Sequence, residues 1–313
     1  MNRYLLGIDV GTSAVKVSCF TEDLRLAAAC SADYPIYFCG ENRVEQDPED
    51  WWSAASGAIR KITCGLNGKE EIAAVCVSSQ SPALIPIGAD GKLVRRAMIW
   101  MDRRAQAESD HLARDIIGYS RYKRILRSEP DAYYVLPKIL WYRKNEPWEF
   151  EKTVMYLQVN GYINYKLTGE YSIDLIHAVS TQCMDYEKRD WSDEIATLTD
   201  LRIREIFPDI SMPYEIIGKV TKEAAALTGL AEGTPVAAGL TDTIASYYGC
   251  GALSEKSSVE MSGTSSIIFF NINKTLDDYG KMMVKPSLSG RDSNILVAAI
   301  NSSGEIGRAS CRE

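Results

Sequence analysis

Leu5–Val17 reads LLGIDVGTSAVKV. An apolar run ends in an acid, Asp9, then Gly11, Thr12 and Ser13 make a tight polar turn. Val15 and Val17 open a second run in which apolar and polar residues alternate. This pattern predicts a β-hairpin whose turn approaches something anionic. Gly11 has no Cβ, so its backbone can come close to a ligand. Thr12 and Ser13 bring hydroxyls and successive N–H donors, the parts of a phosphate-holding nest. Asp9 supplies the carboxylate that a hydrated Mg2+ takes. The plain alternative is a surface hairpin with a G-T-S turn, and this stretch alone leaves both readings open.

Ser257–Phe270, SSVEMSGTSSIIFF, repeats the plan: an extended run, a turn at Gly263, Thr264 and Ser265, and a second extended run. Two such hairpins point to a duplicated architecture, and two phosphate turns facing across a cleft are how the actin-like ATPase fold grips a nucleotide. Together with the segments below, the two turns resemble those of the FGGY carbohydrate kinases, most closely the xylulokinase-like members, over roughly residues 1–303. The resemblance implies an α/β chain of the actin-like ATPase (ribonuclease-H-like) fold, a mixed sheet flanked by helices, with an incomplete second domain of the same type. It implies ATP and Mg2+ as cofactors, with Asp9 holding the metal and Gly11, Thr12, Ser13, Gly263, Thr264 and Ser265 at the phosphates.

With 313 residues, 46% of them apolar, the chain is long enough for two cores. A net charge of −7 and a pI near 5.2, without a basic stripe, argue against nucleic acid as a partner. No apolar stretch reaches the ~18 residues of a membrane span, and Met1-Asn2-Arg3 leads straight into the first strand. Eight scattered cysteines with no C-x-x-C read as buried, reduced thiols of a cytoplasmic protein. With only two histidines, His111 and His177, a His-based zinc site or catalytic triad is improbable. Phosphoryl transfer needs neither, since a carboxylate base and a metal suffice.

After the hairpin, 24–37 predicts a third antiparallel strand. Asp47-Pro48-Glu49-Asp50 predicts a helix start: an N-cap, a proline at the first position and acids at the positive end of the dipole. Trp52, Ala55, Ile59 and Ile62 share its buried face. Strands are expected at 72–77, on both sides of the Gly88–Gly91 turn, and at 97–100, with a helix from Asp102 to about Ile117. Further helices are expected at 135–145, 157–167 and 221–229, and a strand at 236–240. Asp174 and the 167–170 and 189–193 stretches read as scaffold caps and turns.

In the family, the ends of the 72–77 and 97–100 strands line the sugar pocket. The resemblance therefore makes Gln80, Ser81 and Asp102 candidate contacts to a small-molecule sugar, with Trp100 as an apolar wall. Asp102 is also a natural N-cap, and Trp100 an ordinary core aromatic. Ser81-Pro82 stands where xylulokinases usually carry Met-His, and Thr243 where an Asn is common, so the sugar itself stays open. Asp242 lies at a strand-to-helix junction, where an acid is often just a cap. The matching family position holds the aspartate that takes the proton from the attacking hydroxyl. Its location between two phosphate turns favours that reading.

Nothing after Phe270 resembles the family's glycine-rich adenosine site. The expected division is a sugar-binding domain over 1–250, the opening of a nucleotide-binding domain over 251–305, and a non-native tail over 306–313. One strand, 295–300, is expected beyond the second hairpin, with bare hydrophobic edges that favour a homodimer or disorder. The leading reading is an ATP-dependent sugar kinase, the chain by itself being inactive. A non-catalytic sugar- or nucleotide-sensing module and a chaperone-type ATPase on the same fold are the alternatives.

Overall fold

The structure, a computed structural model, describes residues 2–66, 70–252, 254, 257–262, 266–273, 279–280, 282–290 and 293–300. β1 (Asn2–Val10) and β2 (Ala14–Thr21) form the expected hairpin, with Asp9 opposite Lys16, and β3 (Leu26–Asp33) pairs antiparallel with β2. α1 (Pro48–Thr63) begins as its sequence dictates, with the Glu49 N–H donating to the Asp47 carboxylate at 3.0 Å. There follow β4 (Glu70–Ser79), α2 (Val135–Asn145), α3 (Val159–Thr168), α4 (Leu175–Thr181), β5 (Ile216–Lys219) and α5 (Lys222–Thr228). β6 (Pro235–Thr241) then runs directly into α6 (Asp242–Gly249).

These strands make one mixed sheet in the order β5-β6-β4-β1-β2-β3, in which β4 is parallel to both β1 and β6. Strand alternation sorts the faces. Leu6, Ile8 and Val10 of β1 and Val75 and Val77 of β4 pack with Trp51, Ala55 and Ile59 of α1 in one core. Leu5, Gly7 and Asp9 therefore point to the other face, where Leu5 is 36% exposed.

β7 (Ser258–Ser262), β8 (Ser266–Ile272), β9 (Met283–Pro286) and β10 (Asn294–Ile300) form a second, antiparallel sheet in the order β7-β8-β10-β9. It is docked rather than bare. Ile295 and Val297 pack with Ile176 of α4 and Ile244 of α6, and Lys285 donates to the Ser180 hydroxyl at 2.8 Å.

Several expectations need correction. Two strands follow the second hairpin, not one; the additional strand, β9, carries Pro286 and lies at the sheet edge, where a proline is tolerated. The 97–100 strand shortens to Ala97–Met98, and the helix expected from Asp102 starts only at Gln106, passing into a π-helical turn at Leu112–Ile116. Ile85–Gly88 pairs with Thr153–Leu157, leaving Leu93 only a single bridge to Ile87, and Leu157 ends that strand instead of opening a helix. Among the described cysteines all are free, but only Cys19 and Cys183 are buried, while Cys39, Cys64 and Cys250 are exposed. No described helix is long and apolar enough to cross a membrane.

Candidate active site

β1, β4 and β6 end at one level: Asp9 and Leu240 both pair with Ser78, and Val10 and Thr241 both pair with Ser79. The residues just past these ends are Gly11-Thr12-Ser13, Gln80-Ser81 and Asp242. The carboxyl edge of neighbouring parallel strands is where α/β sheets bind ligands.

Asp242 is the first residue of α6, and its Oδ1 accepts the Thr243 N–H at 2.6 Å. Burial pushes its carboxyl up to about 6; the Thr243 N–H opposes this, the Asp9 charge adds to it, and His177 and Lys16 pull it back. A carboxylate tuned to that range is an effective proton acceptor near neutral pH.

Asp9 accepts the Ser78 hydroxyl at 3.0 Å on Oδ1, and Lys16 Nζ lies 3.7 Å from Oδ2. Lys16 is 68% exposed, so that pair contributes little. Mg2+ is held by one or two carboxylates together with waters and phosphate oxygens. Asp9, a hard-oxygen donor on the face that α1 leaves uncovered, fits such a role; the described residues contain no cluster of three or more His, Cys, Asp or Glu to cage an ion.

The turn after β1 is held by its carbonyls. Tyr34 donates its hydroxyl to Gly11 O and its N–H to Ser13 O, and Gln46 Nε2 donates to Thr12 O at 2.8 Å. The Trp100 indole N–H donates to the Thr12 hydroxyl at 3.1 Å. Trp100 is thus no core aromatic: it stands 37% exposed beside the turn.

Gln80 continues the ladder with its N–H on Val10 O, and its Nε2 donates to Gln46 Oε1 at 2.7 Å. Three side-chain oxygens at the ends of β4 and β6 are buried without a partner among the described residues: Gln80 Oε1, Ser81 Oγ and Thr241 Oγ1. Buried polar atoms are nearly always satisfied, so these three oxygens stand out at the strand ends.

Asp102 does not join them. It is fully buried, and its oxygens take the Val44 N–H at 2.7 Å and Arg104 Nη2 at 2.7 Å, while Arg104 also binds Glu45. Carboxylate oxygens so occupied anchor the scaffold behind Trp100 and have no capacity left for a sugar hydroxyl. Gly263, Thr264 and Ser265 lie outside the described residues; the strands flanking them pair as far as Ser262 and Ser266. A surface cavity of about 630 Å³, lined by Glu170, Tyr171, Asp209 and Glu215 among others, shares no residue with the strand-end cluster.

Residues 4–249 match the N-terminal domain of the FGGY family of carbohydrate kinases. The chain belongs to the FGGY family. Xylulose kinase of Bacillus subtilis (strain 168) is 29% identical over 290 residues, covering 90% of this chain and 56% of the relative. Glycerol kinase of Thermococcus kodakarensis is 27% identical over 307 residues, 96% of this chain and 60% of that protein. This FGGY chain therefore spans little more than half the length of the curated relatives it matches. The crystal structure of xylulose kinase from Rhodospirillum rubrum superposes with a TM-score of 0.91 at 22% identity, over 97% of this chain and 62% of that one, a likeness of fold.

Within this FGGY domain, sequence reasoning missed Tyr133, His177 and Gln46. Tyr133 donates its hydroxyl to Ser81 O at 2.6 Å, and its phenol is pushed upward by burial, by Tyr134 and by the Asp242 charge. His177, set aside as one of only two histidines, is buried in a contact with Asp174, itself the N-cap of α4 as its sequence position suggested. An Asp-x-x-His spacing at a helix start was the available signal.

Proposed function

We propose that this chain is the acceptor-binding half of an ATP-dependent carbohydrate kinase. Residues 1–250 hold a small polyol or ketose, and 251–305 begin the nucleotide-binding half. The observation that carries the reading is Asp242, a half-buried carboxyl whose desolvation holds it near 6, close enough to Asp9 to feel its charge, at the ends of parallel strands.

In the proposed reaction the acceptor hydroxyl lies against Asp242, with Gln80, Ser81 and Thr241 satisfying its neighbouring hydroxyls. Asp242 takes the hydroxyl proton as the oxygen forms its bond to the γ-phosphorus, and the bond to the departing ADP oxygen breaks. Thr12 and Ser13 orient phosphate oxygens, and the docked second sheet helps exclude water. Mg2+, when bound near Asp9, neutralises charge on the phosphates.

Both xylulose and glycerol kinases are among the relatives. Ser81-Pro82 and Thr243 remove the Met-His and Asn typical of xylulokinases, which favours a ligand other than D-xylulose. A panel of pentuloses, hexuloses and polyols, read by thermal shift and by ADP release from the full-length gene product, tests this. One acceptor class that both stabilises the protein and releases ADP is expected. A clear preference for D-xylulose would refute the substrate inference, and no response to any member would refute the kinase reading.

A further inference from the structure

We propose that His177 is a positioning residue for the acceptor site: through Ser79, and with Asn160, it pins the end of β4, which carries Gln80 and Ser81, to β6, which delivers Asp242. The inference rests on the carbohydrate-kinase reading above.

His177, Asp174, Ser79 and Asn160 are all fully buried, so none of them touches a substrate. The imidazole joins groups from different elements. Nδ1 meets Asp174 Oδ2 at 2.5 Å, and Nε2 meets Ser79 Oγ on β4 at 3.3 Å. A carboxylate only accepts, so Nδ1 carries a proton and Nε2 is turned to Ser79. Ser79 Oγ also accepts the Asn160 N–H at 3.1 Å and contacts Gln80 O at 3.1 Å. Asn160 Nδ2 donates both to Asp174 Oδ2 at 2.9 Å and to Ala238 O of β6 at 3.0 Å, where Asn164 Nδ2 joins it at 2.9 Å.

The place of these bonds gives them their purpose. The β4–β6 pairing shifts register between Ala237 and Leu240, so the backbone ladder is interrupted at Ala238 and Gly239, two paired residues before Asp242. The side-chain network bridges the same gap. Both ring nitrogens of His177 are engaged, one by Asp174 at the start of its own helix and the other by Ser79 on β4. Charged and titratable neighbours are Asp174 on its own helix, Lys285 from β9 near Asp174, Cys76 from β4 and Asp242 from α6.

The chain has two histidines, so ring ¹⁵N spectra with a His111→Gln control isolate His177. Ser79→Ala is expected to move the His177 Nε2 resonance and leave His111 in place. The Asp242 carboxyl ¹³C signal, assigned by its loss in Asp242→Asn, is expected to change its titration midpoint in Ser79→Ala and to rise in His177→Asn. Unmoved His177 and Asp242 signals would overturn the pin whether or not any sugar binds.

In the full-length enzyme, with the panel's best acceptor, His177→Asn keeps an amide near Asp174 but does not reach Ser79. It is expected to lower kcat/KM for the acceptor about tenfold. His177→Gln, long enough to reach Ser79, is expected to lose less than about threefold. KM for ATP should stay unchanged in both. Equal losses in the two variants, or a lower thermal midpoint with intact acceptor kinetics, would mean packing alone and overturn the proposal. Should His177→Asn fail to fold, Ser79→Ala, which removes a single oxygen, carries the same kinetic test. Complete absence of acceptor-dependent ADP release would sink the kinase reading, while the spectra still decide the pin.

Discussion

The Trp100 indole N–H donates to the Thr12 hydroxyl at 3.1 Å across 88 residues of sequence, joining the expected sugar wall to the expected phosphate turn. Trp100→Phe keeps a ring and removes that donor. Because Trp100 is 37% exposed, the thermal midpoint should move by no more than about 2 °C. Steady-state kinetics of the full-length enzyme should show KM for ATP raised about threefold to tenfold, the worth of one hydrogen bond. An unchanged KM would mean that the turn holds its shape without Trp100.

Gly239 has φ +81°, and a Cβ there would lie 1.9 Å from Val77 O. Neither the left-handed backbone nor the contact leaves room for a side chain. Gly239→Ala is expected to cost roughly 3 kcal/mol or more in denaturant unfolding. A loss under about 1 kcal/mol would show that the register shift in β6 relaxes freely.

Asp242 binds its proton more tightly folded than unfolded, since burial raises its carboxyl from 3.8 to about 6. Its contribution to stability therefore falls as pH rises through that window, and the cost is complete above it. Asp242→Asn should accordingly stabilise the fold by roughly 2–3 kcal/mol at pH 7.5 and by little at pH 4. Equal effects at both pH values in urea titrations would contradict the burial argument.

Lys138 is fully buried, donating to Ile99 O at 2.8 Å and Tyr133 O at 2.9 Å, and burial pushes its ammonium down to about 7. The unfolded chain holds this proton more tightly, so stability attributable to Lys138 rises with pH from about 7 toward its ordinary value of 10.5. Lys138→Met should flatten that rise and, by freeing two carbonyls, cost about 1–3 kcal/mol at pH 9. Parallel pH profiles for the two proteins would count against it.

What was legible in the chain is what local chemistry decides. The β1–β2 hairpin follows from alternation and a Gly-Thr-Ser turn, α1 from Asp47 and Pro48, and the place of Asp242 from a strand running straight into a helix. Asp102 misled because its partners, the Val44 N–H from 58 residues away and an Arg104 that Glu45 also holds, are assembled by the fold, while locally it looks like a cap. Tyr133 and His177 were invisible for the same reason: Tyr133 meets Ser81 across 52 residues and His177 meets Ser79 across 98. No spacing rule reaches that far. The edge strand β9, short and holding a proline, carries too weak a pattern to stand out.

Acceptor-dependent ADP release by full-length wild-type enzyme and Asp242→Asn, measured side by side with acceptor affinity by calorimetry, tests the central claim most directly. Asp242→Asn should bind the acceptor within a few fold of wild type and lose about 10²–10⁴-fold in turnover. Turnover above about a tenth of wild type with affinity intact would contradict the assignment of Asp242 as the base.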